Sequence, residues 1–360
     1  MTVFENRVDR LRRILNKEEA MLITNEKNIF YFTGFSKSEG ALIVTNSQVF
    51  LLVDFRYYEA ACNKAKSCEV LQYSNLITSL MSILKDSAVK SVHIEASYVT
   101  VNDFQRYVSA MNELGISVIS NSALDNMISN LRMMKSEDEI EYIAKAQRIS
   151  ERAYNEVLNY IKPGVEERAI ANELEFLMKK YGAEDISFDL ITITGKKTSL
   201  PHGVPDNSLI AAGDFFTMDI GAIFNGYHSD MTRTVAVKEC SDKQREIYDI
   251  VLNAQQSALK LVKSGIESYK VDRMARDIIE EAGYGDCFGH STGHGVGLDI
   301  HENPTVSPKS SYILSDGMVI TIEPGIYLNN QFGVRIEDMI LVQLDTYHNF
   351  ATLSKELIIV

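Results

Sequence analysis

Apolar positions in the first third of the chain come in short runs separated by polar clusters. Ala20-Met21-Leu22-Ile23-Thr24, Ala41-Leu42-Ile43-Val44 and Val49-Phe50-Leu51-Leu52-Val53 read as strands, and Tyr57 to Lys66 reads as a helix. Val92-His93-Ile94 and Ile116-Ser117-Val118-Ile119 predict later strands of the same α/β unit. The pattern then changes. Ser136-Glu137-Asp138-Glu139 is a capping box, with serine at the N-cap and glutamate three residues on. A long amphipathic helix should follow, carrying Ile140, Ile143, Ala144, Ala146 and Ile149. These shifts predict a smaller α/β domain over residues 1–125, a linker over 126–135 and a second domain over 136–360.

The second domain repeats itself. Tyr160-Ile161-Lys162-Pro163-Gly164-Val165-Glu166 ends one helix and starts another, and Leu261-Val262-Lys263-Ser264-Gly265-Ile266-Glu267 does the same 101 residues later. Each half then supplies a strand pair bearing two acids, Asp219 with Asp230 and Glu323 with Glu337. The class predicted is α+β, with two halves of the second domain facing one another across a shared site.

Turn chemistry sets the register of the first pair. Asn225-Gly226 favours a two-residue type I′ turn, which places Asp219 opposite Thr232 and Asp230 two residues away on the same face. Diagonal neighbours lie roughly 7–8 Å apart, a span that side chains can close around a metal. The looser loop from Asn329 to Gly333 can likewise bring Glu323 and Glu337 to one face. Arg335 shares that face by the two-residue period.

Four carboxylates and one imidazole stand out, each in a distinct local frame: Asp219 in Met218-Asp219-Ile220-Gly221, Asp230 in Ser229-Asp230-Met231-Thr232-Arg233-Thr234, His294 in Gly293-His294-Gly295-Val296-Gly297, Glu323 in Ile322-Glu323-Pro324-Gly325, and Glu337 in Arg335-Ile336-Glu337-Asp338. Most sit in apolar stretches, where unneutralised charge is very costly. Two divalent cations would neutralise them. An oxygen-rich set with one nitrogen suits manganese, cobalt, iron or zinc, and such a pair is what a dinuclear hydrolase uses.

Composition narrows the classes. Hydrophobic content of 45% and charged content of 24% fit an ordinary globular chain of about two domains. A net charge of −13 argues against nucleic acid as a partner. Residues 1–14 carry Glu5, Arg7, Asp9, Arg10, Arg12 and Arg13, so no apolar signal core is expected, and no run reaches membrane-spanning length. Cys62, Cys68, Cys240 and Cys287 form no redox or metal pair and read as reduced thiols. A cytoplasmic location is the expectation.

With these motifs the chain resembles, over essentially its whole length, the metallopeptidases that include aminopeptidase P, prolidase and methionine aminopeptidase, whose catalytic domain is the pita-bread fold. Asn28-Ile29-Phe30-Tyr31-Phe32-Thr33-Gly34-Phe35 and Asp54-Phe55-Arg56-Tyr57 resemble the N-terminal domain of the proline-specific branch. The resemblance implies that Asp219 serves one metal, His294 and Glu323 the other, and that Asp230 and Glu337 bridge them. It implies two ions per chain, manganese first among the candidates. His202, in Leu200-Pro201-His202-Gly203, matches a substrate-proximal histidine, and His301 and His290 match histidines of the substrate side. Tyr327 and Arg335 match positions that contact substrate or back the ligands. Thr194-Gly195-Lys196-Lys197-Thr198-Ser199 only approximates the commoner glycine-arginine-serine wording of the family.

The expected reaction is hydrolysis of the bond between an N-terminal residue and a following proline in a proline-containing peptide. His301, with His290, would stabilise charge on the carbonyl oxygen, and Glu323 would carry a proton to the proline nitrogen. Proline lacks an amide hydrogen and fixes φ, so a dedicated pocket makes chemical sense. An Xaa-Pro aminopeptidase is the main expectation, an Xaa-Pro dipeptidase the alternative, and a non-catalytic binding module the rival from another class. A homodimer is expected.

Overall fold

The apolar runs of the first third pair into one six-stranded sheet. The computed structural model describes residues 2–36 and 39–360, and the chain divides into two compact units, Met1–Arg132 and Met133–Val360.

In the first unit the strands are β1 (Glu19–Ile23), β2 (Ala41–Thr45), β3 (Val49–Val53), β4 (Glu69–Gln72), β5 (Ser91–Ile94) and β6 (Ser117–Ile119), in the spatial order β4-β3-β2-β1-β5-β6. β1, β2 and β3 pair antiparallel, and the outer strands join in parallel. Helices α1 (Val3–Arg12), α2 (Glu26–Thr33), α3 (Phe55–Lys64), α4 (Leu76–Asp86), α5 (Val101–Glu113) and α6 (Ala123–Met133) surround the connections. Leu22, Ile43, Leu52, Leu80 and Met111 form the core. The helix expected from Tyr57 begins at Phe55, because the Asp54 carboxylate accepts the Arg56 N–H at 2.8 Å as an N-cap.

The expected linker over 126–135 is not one. Most of it belongs to α6, where Leu124, Ile128 and Leu131 are buried at helical spacing. The Tyr31 hydroxyl donates to the Leu131 carbonyl at 2.9 Å and secures the helix end.

The second unit shows the repeat. Helices α7 (Glu137–Val157) and α8 (Glu167–Lys180) open the first half, and α9 (Asp242–Leu261) and α10 (Ser268–Glu281) open the second. The capping box forms as expected, with the Glu139 carboxylate accepting the Ser136 N–H at 2.8 Å. Strands of the first half are β7 (Asp185–Ile186), β8 (Ile191–Thr194), β9 (Phe215–Ile220), β10 (Ala222–Phe224), β11 (Tyr227–His228) and β12 (Met231–Ala236). Those of the second are β13 (Gly293–Gly295), β14 (Glu302–Val306), β15 (Val319–Ile322), β16 (Gly325–Leu328), β17 (Phe332–Arg335), β18 (Asp338–Val342) and β19 (Tyr347–Asn349). The antiparallel order β8-β9-β12 in one half recurs as β13-β15-β18 in the other.

Each half has its own core. Leu174, Phe216, Met218 and Val235 belong to one, and Val271, Ile320 and Ile340 to the other. Burial of one such side chain contributes roughly 1.5–3 kcal/mol, so each half is held mainly by its apolar strands. Polar bonds join the halves at their centre. The Glu337 N–H donates to the Thr232 carbonyl at 3.2 Å. The Arg233 guanidinium donates to Asp338 Oδ1 at 2.7 Å and to the Glu337 carbonyl at 2.6 Å. The α+β class with an internally repeated second domain is what the chain forms. Among the described residues no helix is long and apolar enough to cross a membrane.

Candidate active site

Register brings the acids together. Asn225 (φ 48°) and Gly226 (φ 76°) form the tight turn between Phe224 and Tyr227, and Asp219 pairs opposite Thr232 as the turn dictates. In the second half Ile322 pairs with Asp338, and beyond them Gly325 pairs with Arg335. Glu323 and Glu337 occupy the break between these two ladders, where side chains leave the sheet together. His294 lies mid-way along β13. That strand requires glycines on either side, since a Cβ on Gly293 would stand 1.9 Å from the Thr321 carbonyl oxygen and one on Gly295 2.3 Å from that of Asn303. These glycines serve close backbone packing.

All five residues line one cavity of about 560 Å³, together with His202, His290, His301 and Arg335. Asp230, His294 and Glu337 present ligand atoms that all lie within 4.8 Å of one another. His294 Nε2 stands 3.5 Å from Asp230 Oδ2 and 3.4 Å from Glu323 Oε1. Its Nδ1 lies 3.0 Å from the Gly295 carbonyl. Placing the proton on Nδ1 leaves the Nε2 lone pair aimed into the acid cluster, the tautomer a metal ligand needs. Burial pulls this imidazole below its ordinary range, which keeps it neutral.

The acids resist ionising together. Burial, and then Glu337, Asp219 and Glu323, raise Asp230 well above the usual carboxylate range. Burial, Glu323 and Asp219 do the same to Glu337. Burial, against the pull of Arg335, pushes Glu323 up to about 7. Asp219 has one oxygen bound to Arg335 Nη2 at 2.7 Å, while its other oxygen is buried without a hydrogen-bond partner. A buried carboxylate oxygen left bare beside three carboxyl groups driven up in pKa fits a divalent cation held among them. The oxygen-rich donor set with one imidazole suits a hard or borderline metal.

The other histidines differ in freedom. His301 lies edge-on to His294, with ring centroids 4.4 Å apart, and lines the cavity. His202 is exposed and also lines the cavity, in a segment whose Pro201 carbonyl accepts from Arg335 at 3.2 Å. His290 is committed on both nitrogens, Nδ1 at 2.8 Å from the Ser291 carbonyl and Nε2 at 2.8 Å from the Tyr327 hydroxyl. Burial holds it neutral, down to about 4. The expected direct donation from His290 to substrate is therefore disfavoured by its bonds; its ring orients Tyr327. Tyr327 in turn accepts from Arg335 Nη1 at 2.9 Å, and burial pushes its hydroxyl up to about 12. It stands behind the cavity wall, touching His290 and Arg335. His228 is buried on β11, with its N–H bonded to the Gly297 carbonyl at 2.9 Å.

Several participants escaped sequence reasoning. The Thr232 hydroxyl donates to Glu337 at 2.6 Å while accepting from Arg335 Nε at 3.1 Å. The Thr321 hydroxyl donates to Glu323 at 3.2 Å while accepting the His294 N–H at 3.1 Å. Each such hydrogen bond contributes about 0.5–1.5 kcal/mol and fixes the orientation of its carboxyl group. Both threonines lie two residues from a site acid on the same strand face, and that period was the available signal. Phe188, Ile191, Pro205 and Ile300 supply an apolar wall, for which no motif signalled a role.

Comparison with known proteins places this geometry. Residues 141–343 match metallopeptidase family M24, and residues 7–134 match the creatinase/prolidase N-terminal domain. The Xaa-Pro dipeptidase of Pyrococcus furiosus is 38% identical over 98% of this chain and 100% of its own. The structure of an Xaa-Pro dipeptidase from Bacillus anthracis is 38% identical, covers 99% of this chain and 100% of that one, and superposes with a TM-score of 0.95. An X-Pro aminopeptidase from Thermotoga maritima is 35% identical, with 98% and 99% covered and a TM-score of 0.89.

Proposed function

This chain belongs to metallopeptidase family M24, and from that premise we propose that it is an Xaa-Pro dipeptidase. The names of the relatives favour the dipeptidase alternative over the aminopeptidase reading that the sequence put first. The observation that carries the proposal is the gathering of Asp219, Asp230, His294, Glu323 and Glu337 in one cavity, with three of the carboxyl groups held above their ordinary range. A set of that kind, intact, speaks for chemistry and against a non-catalytic binding module.

Asp219, Asp230 and Glu337 would hold one divalent cation, and Asp230, His294, Glu323 and Glu337 a second, with manganese proposed in both. When bound, the cations supply Lewis acidity to the peptide carbonyl and to the attacking water. The remaining work falls to side chains. The His301 ring, free at the cavity face, donates to the carbonyl oxygen as charge develops there. Glu323, which lies in the same cavity, takes a proton from the attacking water and passes it to the leaving proline nitrogen. Phe188, Ile191, Pro205 and Ile300 offer an apolar surface to a pyrrolidine ring, and His202, in the same lining, meets the substrate. The protein is proposed to work in the cytoplasm, as a homodimer, on proline-containing peptides.

The Thermotoga maritima relative supports a second reading, cleavage of longer Xaa-Pro peptides. Manganese-loaded protein should be assayed on Ala-Pro, on an Ala-Pro-Yaa tripeptide and on a methionyl peptide. Cleavage of Ala-Pro with little of the others is expected. Cleavage of the tripeptide alone would assign an aminopeptidase, and loss of the need for proline would remove both readings.

A further inference from the structure

One carboxylate holds both ends of the segment that carries His202. Glu167, the first residue of α8, is completely buried. Its Oε1 accepts the Thr194 N–H at 2.8 Å, and its Oε2 accepts the Asp206 N–H at 3.1 Å. Residues 195–205 lie between these two anchors and include Pro201, His202, Gly203, Val204 and Pro205 of the cavity wall. Lys197 closes the arrangement. Its ammonium stands 2.5 Å from Glu167 Oε2 and 2.8 Å from Asp206 Oδ2, outside the cavity lining.

Within this segment Thr198 and Gly203 are buried, the Thr198 hydroxyl accepts the Gly333 N–H at 2.9 Å, and the Pro201 carbonyl accepts from Arg335 at 3.2 Å. The side chains next to Pro201 have less to hold them: His202 is exposed and Val204 is 74% exposed, so their own apolar packing does not set their position beside the cavity. Polar anchors must do so. Glu167 is well chosen for this, since a carboxylate at a helix N-terminus is stabilised by the helix dipole. A buried carboxylate that lost its cation would carry an uncompensated charge, which couples the clasp to Lys197.

We propose that Glu167 and Lys197 are positioning residues, a clasp between Thr194 and Asp206 that holds His202 against the substrate. The proposal rests on the Xaa-Pro reading for its substrate, and it assigns to Lys197 a role in the fold of the segment instead of a contact with peptide. Because the clasp acts through His202, its effect belongs chiefly in KM, and it should disappear when His202 is absent.

The test uses manganese-loaded full-length protein with Lys197→Met, Lys197→Arg, His202→Ala and the Lys197→Met/His202→Ala pair, assayed on Ala-Pro. Lys197→Met should raise KM about tenfold and change kcat by less than about threefold, with unaltered metal content. Lys197→Arg, which keeps the charge and can bond Glu167 through its fork, should restore KM. In the His202→Ala background the Lys197→Met change should add less than about twofold. Hydrogen–deuterium exchange over 194–206 should quicken in Lys197→Met and not in Lys197→Arg. A full tenfold effect persisting without His202, or unchanged KM and exchange in Lys197→Met, overturns the clasp. Should wild-type protein fail to cleave Ala-Pro, the substrate reading falls, and the exchange measurement alone decides whether Lys197 holds the segment.

Discussion

Arg335 Nη2 lies 2.7 Å from Asp219 Oδ2, so a carboxylate placed to bind metal is already half neutralised by a buried arginine. The same guanidinium reaches Thr232, Tyr327 and the Pro201 carbonyl. It therefore links an acid of β9, the hydroxyl that orients Glu337, and the backbone beside His202.

Replacing Arg335 with Met should leave Asp219 as an uncompensated buried charge. In chelator-treated protein the expected cost is about 3–5 kcal/mol of unfolding free energy. Manganese should recover part of that loss, because the cation neutralises the same carboxylate. Urea unfolding with and without metal measures both numbers. An equal loss in the two conditions would show that Arg335 and the metal do not share Asp219.

Metal-free protein should lose stability as pH rises. Asp230, Glu323 and Glu337 all have folded-state pKa values above those of the unfolded chain. Groups shifted upward contribute stability that is fully present below the unfolded value, about 4, and is lost as pH rises through the folded one. For Glu323 that loss begins near 4 and is complete just above about 7, and for Asp230 and Glu337 it likewise extends from about 4 upward. Melting temperatures of the chelated protein should fall between pH 5 and 8, in a range set by these shifts. Manganese should flatten the profile, since bound cations keep the carboxylates ionised. A rising or level profile in the chelated protein would contradict the burial of these acids.

Changing Glu337 to Ala should lower bound metal from about two ions per chain and abolish turnover while the protein stays folded. The variant removes one member of a repelling set, so the chelated form should be no less stable than chelated wild type above pH 7. Elemental analysis, steady-state assay and calorimetry report on the three parts. Undiminished turnover after chelation would sink the metal mechanism.

Three of the four cavity histidines should separate by what each loses. His294→Ala deletes the imidazole aimed into the acid cluster and should reduce metal content. His301→Ala should keep its metal and lose on the order of 10²–10³ in kcat, as expected for a lost donor to a developing oxyanion. His202→Ala should show most of its effect in KM. Equal metal loss in His301→Ala and His294→Ala would mean that the ligand has been assigned to the wrong ring.

His290 should behave unlike these three. Tyr327→Phe and His290→Ala each break the 2.8 Å contact between the ring and the hydroxyl. Combined, they should cost little more than either alone, because they remove one shared interaction. Additive losses in kcat/KM would instead give His290 a contact of its own with the substrate.

How far the sequence reached depended on the range of the forces involved. Local rules settled five of the six strands of the first unit, missing β4, and also the start of α7 at Ser136 and the Asn225-Gly226 turn, because each depends on neighbours a few residues away. The turn also settled the pairing of Asp219 with Thr232, since register propagates along a hairpin. Local rules failed at residues 126–135. Leu124, Ile128 and Leu131 have helical spacing, but the stripe crosses the boundary expected after residue 125, so no single predicted domain contains its full period.

The motifs of Asp219, Asp230, His294, Glu323 and Glu337 likewise pointed to a metal-type set before any fold was known. Tertiary structure alone decided what surrounds them. Thr232 meets Glu337 across more than a hundred residues, Arg335 meets Asp219 across a similar span, and Glu167 closes a loop whose far end is Asp206. Such contacts follow from how two cores pack and leave no local period in the chain. Chain pattern therefore determined which chemistry this protein carries. Packing decided which oxygens remain bare for a cation and which histidine nitrogens remain free for a substrate, because burial and long-range bonding, not residue type, control whether a polar atom is already satisfied.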